Sequence, residues 1–309
     1  MMSTQKNSLA EREKSGAALS SVVAAVGLTS FKIVVGVMTG SLGILAEAAH
    51  SGLDLVAALV TFLAVRLSGK PPDVEHPYGH GKIENLSALF ETVLLLVTCI
   101  WIIYEAVQRL FFHPVAVELS VWSFIVMATS IGVDITRSKI LYKAARKYKS
   151  QALEADALHF STDVWSSSVV ILGLLCVGIS QWFKGVEWLE NADAVAALAV
   201  AVIVVYVSIQ LGMRTVEGLL DTAPKDMARQ IKVEVEAIEG VSDCHNIRIR
   251  HSGPHLFVDV HILVDGHLSL LEAHALTERV EDKIKALSFD VDVTVHPEPR
   301  PDSRPELEV

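Results

Sequence analysis

ILAEAAHSGLDLVAALVTFLAV, residues 44–65, is apolar enough to enter a bilayer yet carries His50 and Asp54. LEADALHFSTDVWSSSVVILGLL, residues 153–175, repeats the pattern with His159 and Asp163. On an α-helix, residues i and i+4 share one face, about 6 Å apart along the axis. Each helix would therefore present an imidazole beside a carboxylate. Carrying ionisable groups into hydrocarbon is costly, so they are rare there and usually mark an ion or proton path. Two matched pairs offer two nitrogens and two oxygens, a set that suits tetrahedral Zn²⁺. A hydrogen-bonded pair that locks helices together, or a proton relay without metal, would use the same residue types. The identical spacing of two copies favours the ligand reading.

The rest of the chain supplies a membrane setting. Of 309 residues, 51% are hydrophobic, and the mean hydropathy is +0.43. That is too apolar for an ordinary soluble domain and fits a membrane protein with a soluble part attached. A net charge of −10 argues against nucleic acid as the main partner. Cys99, Cys176 and Cys244 are scattered, with no CxxC pair, so no disulfide framework is expected. MMSTQKNSLAEREKSGAALS, at the start, lacks the compact apolar region and cleavage site of a signal peptide.

Apolar stretches of membrane-spanning length are expected at 16–38, 43–68, 85–111, 119–141, 154–180 and 192–213. Lys6, Arg12 and Lys14 precede the first, and Arg66, Lys70 and Lys82 lie between the second and third. Arg137, Lys139, Lys143, Arg146, Lys147 and Lys149 surround the fourth-to-fifth junction, while the opposite loops hold little positive charge. The positive-inside rule then places both termini in the cytoplasm, in what is expected to be a bacterial inner membrane.

After Arg214 the pattern becomes mixed α/β. PKDMARQIKVEVEAIEG (224–240) has helical periodicity and ends on Gly240, a plausible C-cap. NIRIRHSG (246–253) and HLFVDVHILVDG (255–266) alternate like strands and are joined as a hairpin through SGPH. SLLEAHALTERVEDKIKAL (269–287) is an amphipathic helix opened by a Ser269–Glu272 capping box, and VDVTVHPEP (291–299) reads as a last strand. The expected architecture is a membrane α-helical bundle of six transmembrane helices plus a C-terminal cytoplasmic α+β domain, αββαβ and ferredoxin-like. Its parts are a tail (1–15), the membrane domain (16–213), a cytoplasmic domain (214–300) and a disordered tail (301–309).

Two more groups carry metal-ligating residue types. GKPPDVEHPYGHGKIEN (69–85) holds Asp73, His76 and His80, although a polar loop often carries histidine by chance. Seven of the twelve histidines fall in the last third of the chain, a bias that favours metal binding. His245, His261 and His296 sit on expected strands and His274 on the facing helix, so these could converge, with Glu298 nearby; His251, His255 and His267 fit surface positions near turns better. Lys32, Glu47, Glu91, Glu105, Asp134 and Asp193 lie in or near apolar runs. Glu47, Glu105 and Asp193 are close enough to span ends to be solvated, and Asp134 could line an ion path.

HPYGHGK (76–82), EADALHFSTD (154–163), the six spans and the soluble tail together resemble the cation diffusion facilitator family of divalent-metal/proton antiporters. The resemblance covers almost the whole chain. It implies a homodimer in a lipid bilayer, exchanging divalent metal ions for protons, with His50, Asp54, His159 and Asp163 as transport-site ligands between the second and fifth spans. Asp73, His76 and His80 match the family's loop site. His245, His261, His274, His296 and Glu298 match the cytoplasmic dinuclear site of some members. Lys82 and Asp221 match an interdomain charge pair. Many bacterial members have Asp where this chain has His50; His there resembles the zinc-preferring members and softens the set. Glu298 replaces an Asp.

The expected activity is Zn²⁺ efflux by alternating access, protons competing with metal for the imidazoles. An exporter preferring Fe²⁺, Co²⁺ or Cd²⁺ is the alternative in the same class. A non-transporting membrane metal sensor is the alternative in another. An enzyme is not expected: HExxH is absent, and four protein ligands leave no position for catalytic water.

Overall fold

The computed structural model describes residues 2–111, 121–180, 192–224, 226–287 and 290–300, with side chains described from Leu9 onward except at 105–106, 109–111, 170, 173–180 and 192–197. Six long helices come first: α1 (Met2–Thr39), α2 (Leu42–Ser68), α3 (Lys82–Phe111), α4 (Val121–Tyr148), α5 (Gln151–Ser180) and α6 (Ala192–Leu219). A smaller set follows: α7 (Met227–Glu236), β1 (Asp243–Ser252), β2 (His255–Val264), α8 (Leu270–Lys285) and β3 (Val291–Pro299). The chain separates into two compact units. One comprises residues 1–72 and 83–216; the other joins the loop 73–82 to residues 217–309.

Among the described residues, four stretches are long and apolar enough to cross a bilayer: Leu9–Thr39, Leu42–Ser68, Lys82–Tyr104 and Leu198–Leu219. Helix α4 falls short of that measure because Asp134 and Arg137 lie within its apolar run, whereas only part of α5 is among the residues with described side chains. Their charged groups face the other helices, where α1 packs on α2 and α4, and α5 packs on α4 and α2. Large apolar side chains such as Val37, Leu53, Trp101 and Ile203 point outward instead, as lipid-facing positions require. Helix α1 reaches back to Met2, so the polar start expected as a tail is helical.

The α1–α2 corner follows from local chemistry. Gly40 turns the chain at a φ of +66°, open to glycine at no steric cost. Ser41 then caps α2, its side chain accepting from the Ile44 N–H. Lys32, buried on α1, donates to Ser51 (2.8 Å) and pairs with Glu47 (3.1 Å) on α2.

A second polar knot lies at the other end of α1. Lys14 pairs with Glu84 on α3 at 2.9 Å; Ser68 of α2 donates to the same carboxylate at 2.9 Å, and so does Ser150, just before α5. Lys14 and Glu84 are both buried. Four helices thus meet on one carboxylate whose acceptor sites are filled, as a buried charge requires. Ala88, Ala155 and Leu211 pack α3, α5 and α6 together near this level.

The second unit has a three-stranded sheet in the order β1-β2-β3, β1–β2 antiparallel and β2–β3 parallel. The hairpin turns at Gly253 (φ +59°) between Ser252 and His255, as the sequence predicts. Helices α7 and α8 cover one face. Their Ile231, Val235, Leu276, Val280 and Ile284 bury against Ile249, Val258, Val260, Ile262 and Val293. The Ser269–Glu272 capping box forms. Helix α7 ends at Glu236, with Ala237 as its C-cap, four residues before Gly240. Gly240 instead serves the turn into β1 at a φ of +101°, where Ile238 and Val241 tuck toward the core.

Candidate metal centres

The i,i+4 spacing on α2 and α5 does what helix geometry demands. His50 and Asp54 lie on one face of α2, with His50 Nε2 3.9 Å from Asp54 Oδ1. His159 and Asp163 lie on one face of α5, with His159 Nε2 3.6 Å from Asp163 Oδ2. The two faces meet: His159 Nε2 stands 3.2 Å from Asp54 Oδ1. Ligand atoms of His50, Asp54 and Asp163 all lie within 4.8 Å of one another. Donors about 2.0 Å from a tetrahedral ion sit roughly 3.3 Å apart, so the spacings here are near those of a closed site. Side-chain exposure falls from 42% at His50 through 17% at Asp163 and 12% at Asp54 to 5% at His159, so the group is open on one side only.

Charged neighbours frame the group. Glu91 on α3 is fully buried; its Oε1 accepts from Thr61 on α2 at 3.2 Å, and its Oε2 lies 3.9 Å from His159 Nδ1. Arg137 on α4 donates to Ser21 at 3.0 Å and to Asp134 at 3.3 Å, with its guanidinium carbon 3.4 Å over the Phe160 ring. Asp134, expected to line an ion path, is thus buried and held by Arg137. Arg137, counted among the cations at the fourth-to-fifth junction, is buried as well. Asp156, one turn before His159, is buried with Oδ2 accepting from Ser21 at 3.4 Å. Arg137 and Asp156 carry no spacing signal of their own, and only the fold brings them near the group. Glu47 is half exposed, as expected; the Glu105 and Asp193 side chains and residues 301–309 lie outside the described residues.

The loop cluster forms within the second unit. Asp73 Oδ1 accepts from the N–H groups of Glu75 (3.0 Å) and His76 (2.6 Å) and lies 3.2 Å from His76 Nδ1. Its Oδ2 stands 3.3 Å from His80 Nε2. The His76 backbone bond, with both histidines adding to it, holds the Asp73 carboxyl below the usual carboxylate range. Gly79, at a φ of +76°, folds His80 back over His76, their ring centroids 4.4 Å apart. The same loop seats on the β1–β2 hairpin. Tyr78 stacks under Arg250 (3.9 Å) and meets Phe257 edge-on (5.4 Å). Lys82 pairs with Asp221 at 2.9 Å.

The third cluster lies on the face of the sheet that the helices leave open. Strand alternation buries Val258, Val260 and Ile262 under α7 and α8 and sends His261 the other way. Register then aligns His245 with His261 and His261 with His296, and sets Glu298 beside them. His261 Nδ1 donates to Glu298 Oε1 at 2.7 Å, and His245 Nε2 lies 3.4 Å from Oε2. The His261 bond holds the Glu298 carboxyl below its ordinary value. His245, His261 and Glu298 present ligand atoms within 4.8 Å of one another, and His296 stacks on His261 at 4.8 Å. His274 is not brought to this group within the chain. It rides on α8, on the opposite side of the sheet, 66% exposed beside Glu278. The same period of two that aligns the strand histidines turns them away from the helices.

Long apolar helices, a largely buried imidazole–carboxylate group and a small mixed sheet carrying a row of histidines define an integral membrane protein built to handle cations. Residues 18–220 match the family model of the cation efflux transmembrane domain, and residues 223–300 that of the cation efflux protein, cytoplasmic domain. The chain is 32% identical over 286 residues to the cation-efflux pump FieF of Cronobacter sakazakii, with 92% of each covered. It is 33% identical over 290 residues to the FieF pump of Salmonella arizonae, again with 92% of each covered. A solved chain of CzrB in its zinc form matches with 23% identity and a TM-score of 0.25, covering 28% of this chain and 98% of that one. The chain belongs to the cation efflux family, the cation diffusion facilitators.

Proposed function

We propose that this protein exports a divalent metal, Zn²⁺ before others, from the cytoplasm in exchange for protons, as a homodimer working by alternating access. The observation that carries the reading is the meeting of the two His-x-x-x-Asp pairs on α2 and α5, where His159 Nε2 comes within 3.2 Å of Asp54 and 3.6 Å of Asp163. His50, Asp54, His159 and Asp163 are the transport ligands. Two imidazoles and two carboxylates favour Zn²⁺, Co²⁺ or Fe²⁺ over the harder Mn²⁺ or Mg²⁺, and a four-ligand site favours the tetrahedral ion. All six long helices span the bilayer of a bacterial inner membrane, α4 and α5 hiding their charges inside the bundle, with both termini cytoplasmic. In that orientation His50 and Asp163 are the outer members of the site.

Metal requires neutral imidazole and ionised carboxylate, so each ion bound displaces protons and each proton bound promotes release. Asp73, His76 and His80 bind a second ion in the loop. His245, His261 and His296 with Glu298 bind further metal on the open sheet face of a ferredoxin-like dimerisation domain. Lys82 and Asp221 anchor the loop's exit beside the end of α6. The domain divisions 1–15, 16–213, 214–300 and 301–309 frame this account.

Proteoliposomes loaded with a pH dye test it across Zn²⁺, Co²⁺, Cd²⁺, Fe²⁺ and Mn²⁺. The proposal expects zinc-driven proton movement opposite to the metal, strongest for Zn²⁺. A larger flux for Fe²⁺, Co²⁺ or Cd²⁺ would reassign the substrate. Metal binding without any flux would make the protein a sensor.

A further inference from the structure

Glu91 is a buried acid that neither the helix spacing nor the ligand set explains. It sits on α3, outside the two helices that carry the imidazole–carboxylate pairs, and has no solvent exposure. Thr61 fixes one of its oxygens, donating to Oε1 at 3.2 Å. The other oxygen, Oε2, has no hydrogen-bond partner, and neither has the buried Nδ1 of His159. These two unpartnered atoms stand 3.9 Å apart. The far nitrogen of the same ring, Nε2, is turned toward Asp54 and Asp163. A buried donor and a buried acceptor left apart each cost free energy, and one short closure satisfies both.

We infer that Glu91 is the positioning residue for His159: it accepts a hydrogen bond from Nδ1–H, which keeps the proton on Nδ1 and so presents the Nε2 lone pair to the metal. This rests on the transport-site reading above. Metal-bound histidines commonly donate their other ring N–H to a carboxylate, which fixes the tautomer, holds the ring plane and strengthens the ligand. Glu91 is well placed for that role because Thr61, from the helix that bears His50 and Asp54, holds its carboxylate. A third helix, α3, thereby joins the site without contributing a ligand. His159 is the least exposed of the four ligands and the one with such a partner, so the site's inner wall is its most ordered.

The test separates geometry from charge. Glu91→Gln removes the charge but keeps an oxygen facing Nδ1, since the Thr61 hydroxyl can turn to accept from the amide. Glu91→Asp keeps the charge but withdraws the oxygen by one methylene. Both changes are made in full-length protein whose loop and sheet clusters have been disabled by Asp73→Ala and His261→Ala. The readouts are Zn²⁺ affinity and the visible spectrum of bound Co²⁺. Positioning predicts that Glu91→Gln stays within about threefold of its parent, with the tetrahedral Co²⁺ bands intact. It predicts that Glu91→Asp weakens binding by roughly 10- to 100-fold with altered bands. The reverse order, or two variants equal to the parent, overturns the inference. In a His159→Ala background Glu91→Asp should change nothing further. If His159→Ala itself leaves binding intact, the transport-site assignment has failed along with the inference. If it abolishes binding while Glu91→Asp does not weaken it, the inference alone has failed.

Discussion

Lys14 illustrates how a single side chain can serve the bundle rather than its surface. Its ammonium is buried against Glu84 at 2.9 Å, 70 residues away. Removing one partner of such a pair strands the other charge, which costs about 3–5 kcal/mol. Lys14→Met should therefore lower the stability of the detergent-solubilised protein by about that amount, seen as a fall in melting temperature. Lys14→Met combined with Glu84→Gln should recover most of it, because the amide can be buried with its serine partners. Sequence reading counts Lys14 and Arg137 as orienting cations, since a lone charge near a span end normally faces water. Lys14 does have a local partner, Glu11 one turn earlier at 2.6 Å, but the buried one, Glu84, lies on another helix and leaves no local mark. The same limit applies to Glu91, visible as an acid in an apolar run but tied by no spacing to His159. The meeting of His50, Asp54, His159 and Asp163 was partly legible because i,i+4 is itself a geometric statement, whereas for Asp73, His76 and His80 the sequence showed only that they share one short polar loop.

At the scale of elements, the α8 capping box was legible in full, and its energetics follow. Hydrogen bonds from the Ser269 side chain and N–H hold the Glu272 carboxyl below its ordinary 4.5. A lowered value means that the bonded carboxylate stabilises the helix start above pH 4.5 and ceases to do so as pH falls through the lowered value. Glu272→Gln should thus increase hydrogen exchange in the first turn of α8 at neutral pH, relative to the parent, and the difference should shrink as pH falls below 4.5. Gly240 was read as a cap, but α7 stops earlier because the turn must bring Ile238 and Val241 back to the core. Gly81 was not singled out, yet a Cβ there would overlap the Ser252 carbonyl. Gly81→Ala should lift the loop from the hairpin and free Tyr78 from Arg250, measurable as faster exchange in residues 76–82. Backbone approach between distant segments has no sequence signature beyond the glycine itself.

For the whole molecule, the order of elements and the change of character after the last long helix were readable from hydropathy and alternation. Helix α4 shows what a hydropathy threshold misses: Asp134 and Arg137 lower its apolar score, yet both are buried and pair with each other inside the bundle. His274 shows another limit: residue type alone did not tell that α8 would carry it on the face opposite the strand histidines, exposed beside Glu278. The proposed function assigns transport to the α2–α5 group and not to the loop and sheet clusters. The most direct test is zinc flux into proteoliposomes bearing Asp54→Ala and Asp163→Ala together, compared with Asp73→Ala and His261→Ala together. The account predicts that the first pair abolishes flux while the second leaves measurable zinc movement. Wild-type flux from the Asp54→Ala/Asp163→Ala protein would contradict it.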